Sequence, residues 1–291
     1  MLPDAASSVE GALPLEPASA SFVDSRLIGR IALLAAAAFG YAVILAPLIF
    51  VCWLSFFSNE IVTFPPSGYT LRWFARIFDQ NNFVSGFATS LQVGVAATIG
   101  GLLLGIPASL TLARRRFPGR EALNTLLVLP LVVPGIVAGT AIYVFQIEIE
   151  IATELPLLGS RAGLVLAHIM ITIPWTVRLL TASIAGFDRS IEEAALNLGA
   201  TPLQAFLKAT LPVIKPGIVA AALFSFVISF GNLEMTLFLV APGQTTLPIA
   251  ILQYLEWRID PTIAAVSLLQ IVLIAGGMLI ADRYVKLTRV L

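Results

Sequence analysis

Residues 190–212 read SIEEAALNLGATPLQAFLKATLP, a polar, helix-forming island in a chain that is otherwise mostly apolar. Ser190 followed by Glu193 fits a capping box, with a hydroxyl at the N-cap and a carboxylate at N3. Ile191, Ala194, Ala195 and Leu198 then recur at helical spacing. Gly199 is placed to end that helix in the left-handed conformation that a Cβ disfavours. Thr201, Pro202 and Gln204 supply N-cap, N1 proline and N3 amide for a second helix, which Leu211 and Pro212 are expected to stop. The expectation is an elbow of two short helices within residues 186–213.

The surroundings of the elbow say where it sits. Of the 291 residues 58% are hydrophobic and 12% are charged, against about 25% charged in a soluble domain. The formal net charge is zero, which gives no electrostatic footprint for nucleic acid. The single cysteine, Cys52, lies in an apolar run, so neither a disulfide framework nor a cysteine metal site is available. The single histidine, His168, cannot build a multi-histidine metal site. The composition is that of an integral membrane protein with several spans.

Residues 1–25 are rich in Ala, Ser, Pro and acidic side chains and are read as a disordered tail, too polar for a cleaved signal peptide. Residues 26–291 form the membrane domain. Six runs are long enough for a hydrocarbon core about 30 Å thick, near residues 31–56, 86–113, 123–145, 162–185, 216–240 and 262–281. With the N-terminus inside, the cytoplasmic segments hold Arg26, Arg30, Arg114, Arg115, Arg116, Arg120, Arg189, Lys208, Lys215, Arg283, Lys286 and Arg289, with Arg178 near the inner end of the fourth span. The outer segments hold only Arg72, Arg76, Arg161 and Arg258, beside the acidic Glu148, Glu150, Glu154, Glu256 and Asp260. Basic residues favour the cytoplasmic side, so this asymmetry puts both termini and the elbow there. In the outer segment 57–85, Leu71, Trp73, Phe74, Ile77 and Phe78 interleave with Arg72, Arg76 and Asp79. This pattern predicts a short interfacial helix with its tryptophan at headgroup depth.

The spans carry few polar landmarks. Gly101 and Gly105, and Gly135 and Gly139, are small-residue pairs one turn apart, which let helix backbones approach. Pro130, Pro134 and Pro174 break or bend a helix unless neighbours satisfy the freed carbonyls. Glu234 stands inside the expected fifth span, where a carboxylate costs about 2.5–3.5 kcal/mol on the lenient insertion scale. One reading makes it a lining group of a translocation path, together with Asn232 and Ser229; the other makes it a packing residue, protonated or paired. Ser225, Ser229 and Asn232 follow one helical stripe, from which Glu234 is offset unless the helix is distorted near Gly231. His168 is read first as a hydrogen-bonding residue between helices and second as a proton relay or ligand. No nucleotide-binding P-loop, zinc-protease motif or nucleophile elbow is present, so an energy source has to come from another subunit.

The elbow resembles the cytoplasmic EAA loop of ABC importer permeases, whose pattern is Glu-Ala-Ala, three residues, Gly, nine residues, Ile, one residue, Leu-Pro. This chain has Glu193-Ala194-Ala195, Gly199 and Leu211-Pro212 in that register, with Ala209 in the Ile position. The stretch from about residue 129 to 268 is similar to the spermidine/putrescine permease group. The likeness is carried by Leu129-Pro130, Val133-Pro134-Gly135, His168, Pro174, Asp188, Pro216-Gly217, Ser229-Phe230, Gly243, Thr245-Thr246-Leu247-Pro248 and Pro261. Gly231-Asn232 replaces the pair of aspartates that polyamine permeases commonly carry after Ser-Phe, and the carboxylate comes two positions later as Glu234.

The resemblance implies an all-α fold, a polytopic membrane bundle of six transmembrane helices with a cytoplasmic EAA coupling-helix loop. It implies a bacterial inner-membrane subunit without enzyme activity, which forms half of a path for a small polar, polyamine-like solute. Phosphonate or iron-chelate import is the alternative, and an ion-gradient transporter a more distant one. The implied partners are a second, distinct permease, two ATPase subunits that bind ATP and Mg, an extracytoplasmic binding protein and membrane lipid. No cofactor, metal or catalytic residue is implied on this chain. Coupling to the ATPase is assigned to Glu192, Glu193, Ala194, Ala195, Gly199, Ala200, Leu211 and Pro212. Within that set Glu193 is expected to fix the helix start and Gly199 to permit the turn.

Overall fold

The computed structural model describes the backbone of residues 20–285 and the side chains of residues 27–283. Residues 1–19 of the expected tail, the side chain of Arg26, and Lys286 and Arg289 lie outside the described residues. The chain divides into two compact units, Met1–Val51 and Cys52–Leu291. Six helices among the described residues are long and apolar enough to cross a membrane: Leu27–Leu54, Asn81–Arg114, Gly135–Thr153, Arg161–Ala185, Pro202–Phe230 and Thr262–Arg283. The first belongs to α1 (Ala20–Leu54), which makes up the described part of the first unit and crosses into the second at its end.

The second unit is organised on α3 (Asn81–Arg114), α6 (Arg161–Ala185) and α9 (Leu211–Phe230), which pack on one another along their lengths. Glycine makes this possible. A Cβ on Gly101 would lie 3.0 Å from Thr172 Cβ, and one on Gly105 would lie 2.8 Å from Thr176 Cβ. The first small-residue pair is therefore the seam between α3 and α6. Hydroxyls stitch the same seam: Thr172 Oγ1 donates to the Ala97 carbonyl at 3.1 Å, and Thr176 Oγ1 and Ser225 Oγ are 3.2 Å apart across to α9. Each hydroxyl thus has a partner where no water is available, the condition for a polar group inside hydrocarbon. Farther along α6, Leu180 and Ile184 pack with Ile214 and Ala221 of α9.

Two predicted spans are broken differently from expectation. The third, expected near residues 123–145, is interrupted. α4 (Arg120–Val128) leads to a 3-10 turn, Leu129–Leu131, and only α5 (Gly135–Thr153) spans. Pro130 and Pro134 remove two backbone donors there, which hydropathy alone does not register. The fifth, expected near residues 216–240, starts earlier and stops sooner. α8 (Pro202–Ala205), a π-helical turn Phe206–Thr210 and α9 run on as one helix that ends at Gly231. Leu211 and Pro212 do not stop it: Pro212 sits in the first turn of α9, and its missing N–H falls just after the π turn, where the i→i+4 ladder is already interrupted.

Ahead of α3, α2 (Arg72–Asp79) is the expected short helix, but Trp73 is not interfacial. It is 0% exposed, and its Nε1–H donates to the Phe57 carbonyl at 2.6 Å. With that one polar group satisfied, the whole ring can be buried, and it packs with Ile77, Phe83, Phe230 and Leu247. α10 (Leu247–Trp257) begins against α3, where Ser90 Oγ accepts from the Leu247 N–H at 2.9 Å. α11 (Thr262–Val285) completes the unit.

Asp260 ties α2 to the turn between α10 and α11. It accepts from the Tyr254 hydroxyl at 2.8 Å and the Thr262 N–H at 2.9 Å, and Arg76 Nη1 lies at 3.5 Å. Burial alone would raise this carboxyl, but the hydrogen bonds from Thr262 and Tyr254 and the charge of Arg76 hold it below the ordinary value. A carboxyl lowered in the folded state stabilises it above the unfolded value of about 4, and that contribution is lost as pH falls through the folded value. Acidification below about pH 4 is therefore expected to loosen α2. The check is the fluorescence component lost in Trp73→Phe, which should shift to the red with acid in the parent and stay independent of pH over that window in Asp260→Asn.

Candidate functional site

The elbow forms at residues 188–212, with α7 (Ser190–Asn197) as its first arm. Its start differs from the expected capping box. Asp188 Oδ1 accepts the Ser190 N–H at 3.0 Å, and the Ser190 hydroxyl caps nothing. Asp188 is fully exposed, and this hydrogen bond from the Ser190 backbone lowers its carboxyl. Glu193 is exposed and makes no capping bond, so it does not fix the helix start. The end is as expected. Gly199 has φ +87, its N–H bonds to Leu196 O at 2.9 Å, and the Ala200 N–H bonds to Ala195 O at 3.1 Å, the two bonds of a Schellman motif. Thr201 and Gln204 then form the predicted capping box, at 3.0 and 3.3 Å.

Glu192 holds the first arm in place. Its carboxylate meets Arg114, the last residue of α3, twice: Oε2 to Nη2 at 2.7 Å and Oε1 to Nη1 at 3.1 Å. Thr210, fully buried in the π turn, donates to Glu192 Oε2 at 2.8 Å and accepts from Arg114 Nη2 at 3.2 Å. The Arg114 guanidinium also lies 5.8 Å from the Phe187 ring. The pair is only 17% and 21% exposed, so a bidentate bond here is a structural strut rather than a screened surface pair. Several apolar side chains of the elbow are bare: Leu198 is 88% exposed, and Ile191, Leu196 and Leu203 are exposed with it.

A second site lies where the two broken spans meet. Residues 231–235 leave α9 as irregular backbone, followed by the 3-10 turn Thr236–Phe238. Glu234 is in this segment and not in the span, so the distortion at Gly231 is real and the carboxylate is exposed. It rests on Gly135, the first residue of α5, where any Cβ would overlap its carboxylate. Gly139 does the same for the next residue, since a Cβ there would come 2.9 Å from Met235 Cα. The first turn of α5 offers backbone N–H groups without helical partners, and the positive end of the helix favours a nearby carboxylate.

Ser229 and Asn232 do not accompany Glu234. Ser229 is buried, and its hydroxyl is 2.7 Å from His168 Nδ1; His168 Nε2 is 3.1 Å from Thr236 Oγ1. Thr236 donates to Asn232 Oδ1 at 3.1 Å through its hydroxyl and at 3.2 Å through its N–H. A hydroxyl has one proton, and that of Thr236 goes to Asn232, so Thr236 accepts from His168 Nε2–H. The donor count therefore puts a proton on Nε2. His168 is thus the hydrogen-bonding residue between helices of the first reading, fastening α6 to both sides of the break. The sequence singled out neither Thr210 nor Thr236, and it counted Arg114 only as a cytoplasmic charge. Arg114 and Glu192 are 78 positions apart, and no spacing rule connects them.

Residues 101–290 match the family described as "Binding-protein-dependent transport system inner membrane component". The chain belongs to this family. It is an ABC importer permease, multi-pass and membrane-embedded, as its six apolar helices require. The permease is 30% identical over 231 residues to the putrescine transport system permease protein PotI of Escherichia coli (strain K12), covering 79% of this chain and 82% of PotI. It is also 30% identical over 222 residues to the putative 2-aminoethylphosphonate transport system permease protein PhnU of Salmonella typhimurium (strain LT2), covering 71% and 77%. Its fold is that of a chain in the crystal structure of a bacterial ABC transporter involved in the import of the acidic polysaccharide alginate. The TM-score is 0.67 at 15% identity, over 94% of this chain and 99% of that one.

Proposed function

We propose that this permease forms half of the path by which a small cationic, polyamine-like solute enters a bacterial cell across the inner membrane. A second, distinct permease forms the other half, an extracytoplasmic binding protein delivers the solute, and two ATPase subunits using ATP and Mg dock on the elbow. Both termini and the elbow lie in the cytoplasm, in keeping with the arginine and lysine bias. The observation that carries the reading is the elbow itself: a capped unit, strutted to α3 and the entrance of α9 by Glu192, that leaves Leu198, Leu203, Ile191 and Leu196 bare. Bare apolar side chains on a segment read as lying outside the hydrocarbon suit a protein partner. Gly199 and Ala200 set its bend, and Ala194 and Ala195 keep the arm slim.

For the solute, Glu234 is the supporting residue. It is exposed, with no ion pair among the described residues, at a place where two broken spans meet. Breaks in spanning helices are where transporter bundles bind their cargo. Putrescine and 2-aminoethylphosphonate, named for the two relatives, both carry a primary ammonium, which a lone carboxylate suits. The second reading, an aminophosphonate, differs in adding an anionic group.

The assembly is tested by reconstituting the permease with its partner subunits in liposomes and measuring solute uptake with and without ATP. Uptake that needs ATP and the binding protein is expected; uptake driven by an ion gradient alone contradicts the reading. In the same assay Gly199→Val should lower the solute carried per ATP. Nothing lies within 4 Å of an added Cβ there, so the defect comes from the left-handed backbone, about 1–2 kcal/mol for a residue with a Cβ. Normal uptake by a correctly inserted Gly199→Val protein would remove Gly199 from the coupling geometry.

A further inference from the structure

We infer that Arg114 is a positioning residue that locks the elbow to the inner ends of all three core helices, so that a displacement of α7 moves them together. The inference rests on the coupling role proposed for the elbow and adds the joint through which it acts. Arg114 closes α3. Its guanidinium lies 5.8 Å from the ring of Phe187, two residues past the end of α6. It holds Glu192 of α7 at two points, 2.7 and 3.1 Å, and donates to Thr210 at the entrance to α9, 3.2 Å away. Thr210 closes the triangle with its own bond to Glu192 at 2.8 Å. A planar, bidentate guanidinium fixes direction as well as distance, which a lysine ammonium does not.

The neighbouring geometry explains why such a joint is needed. Between α7 and α9 the chain passes through the π turn Phe206–Thr210, a wider helical turn that interrupts the i→i+4 ladder. Without a second attachment, a push on α7 could be taken up there instead of reaching α9. The Glu192–Thr210 bond bridges that turn, and the Glu192–Arg114 pair carries the same push to α3. The strut bypasses the π turn, and the elbow moves with the core as one body.

The test is transport per ATP in the reconstituted complex, with co-purification of the ATPase as the control for folding and assembly. Arg114→Gln is expected to lower solute carried per ATP by about tenfold, a size typical of coupling between two sites, and Arg114→Lys to recover only part of it. Thr210→Val keeps shape and volume and leaves the ion pair, and it should give a smaller fall, about threefold. A ratio within twofold of the parent in Arg114→Gln overturns the inference, as does full recovery in Arg114→Lys. Should Arg114→Gln fail to assemble, Thr210→Val decides alone, and an unchanged ratio there overturns it. If the parent complex shows no ATP-driven uptake, the permease reading and this inference fall together; ATP-driven uptake with unchanged ratios removes the inference alone.

Discussion

Gly105→Val is expected to abolish accumulation of folded permease in the membrane. The glycine sits where α3 meets α6, and a Cβ at that point would come 2.8 Å from Thr176 Cβ. Thr176 cannot step aside: it is β-branched and fully buried, and its hydroxyl is bonded to the Thr172 carbonyl and to Ser225. The helices would have to separate, and that separation would also open the bond from Ser109 to the Val177 carbonyl. Overpacking of this kind typically costs about 1–3 kcal/mol, and the disrupted hydroxyl bonds add to it in a setting without water to replace them. The measurement is the yield of monodisperse protein from membranes. Gly105→Ala should give reduced yield and Gly105→Val none, whereas normal yield of the valine protein would contradict the close seam.

Glu234→Gln is the second large effect, on transport rather than folding. The carboxylate is exposed and unpaired among the described residues, so neutralising it should leave yield intact. A hydrogen bond to a charged group is worth about 1.5–3 kcal/mol, which corresponds to about ten- to a hundredfold in the apparent affinity for a diamine. Uptake at low diamine concentration should fall accordingly and recover in part at high concentration. Unchanged uptake would assign Glu234 to packing between the broken spans. Gly135→Ala provides a separate check, because it displaces the Glu234 carboxylate without altering its charge.

How much of this was legible follows from what kind of rule each feature obeys. Four spans and the start of the elbow's second arm obey local rules of hydropathy and capping, and they are where the sequence puts them. Gly199 and the Thr201–Gln204 box are fixed within four residues of themselves, so no tertiary information is needed. The breaks at Pro134 and Gly231 were blurred because a hydropathy window runs through an apolar interruption as if it were helix. The start of α7 was misread because Asp188 and Ser190 are both good caps, and only the backbone shows which one accepts. Trp73 was misplaced because an amphipathic pattern cannot tell a headgroup from a fold's own covering segment. The Arg114–Glu192–Thr210 strut and the Ser229–His168–Thr236–Asn232 chain were invisible, since each joins residues that only the packed helices bring together.

The central claim is that the bare apolar side chains of the elbow meet the ATPase. A photo-crosslinking residue placed at Leu198, and in a separate protein at Trp257, 86% exposed at the far end of α10, tests it in the assembled complex of permeases, ATPase and binding protein. The account predicts a covalent adduct with the ATPase subunit from position 198 and none from position 257. An ATPase adduct from position 257, or its absence from position 198 in a complex that transports, would contradict it.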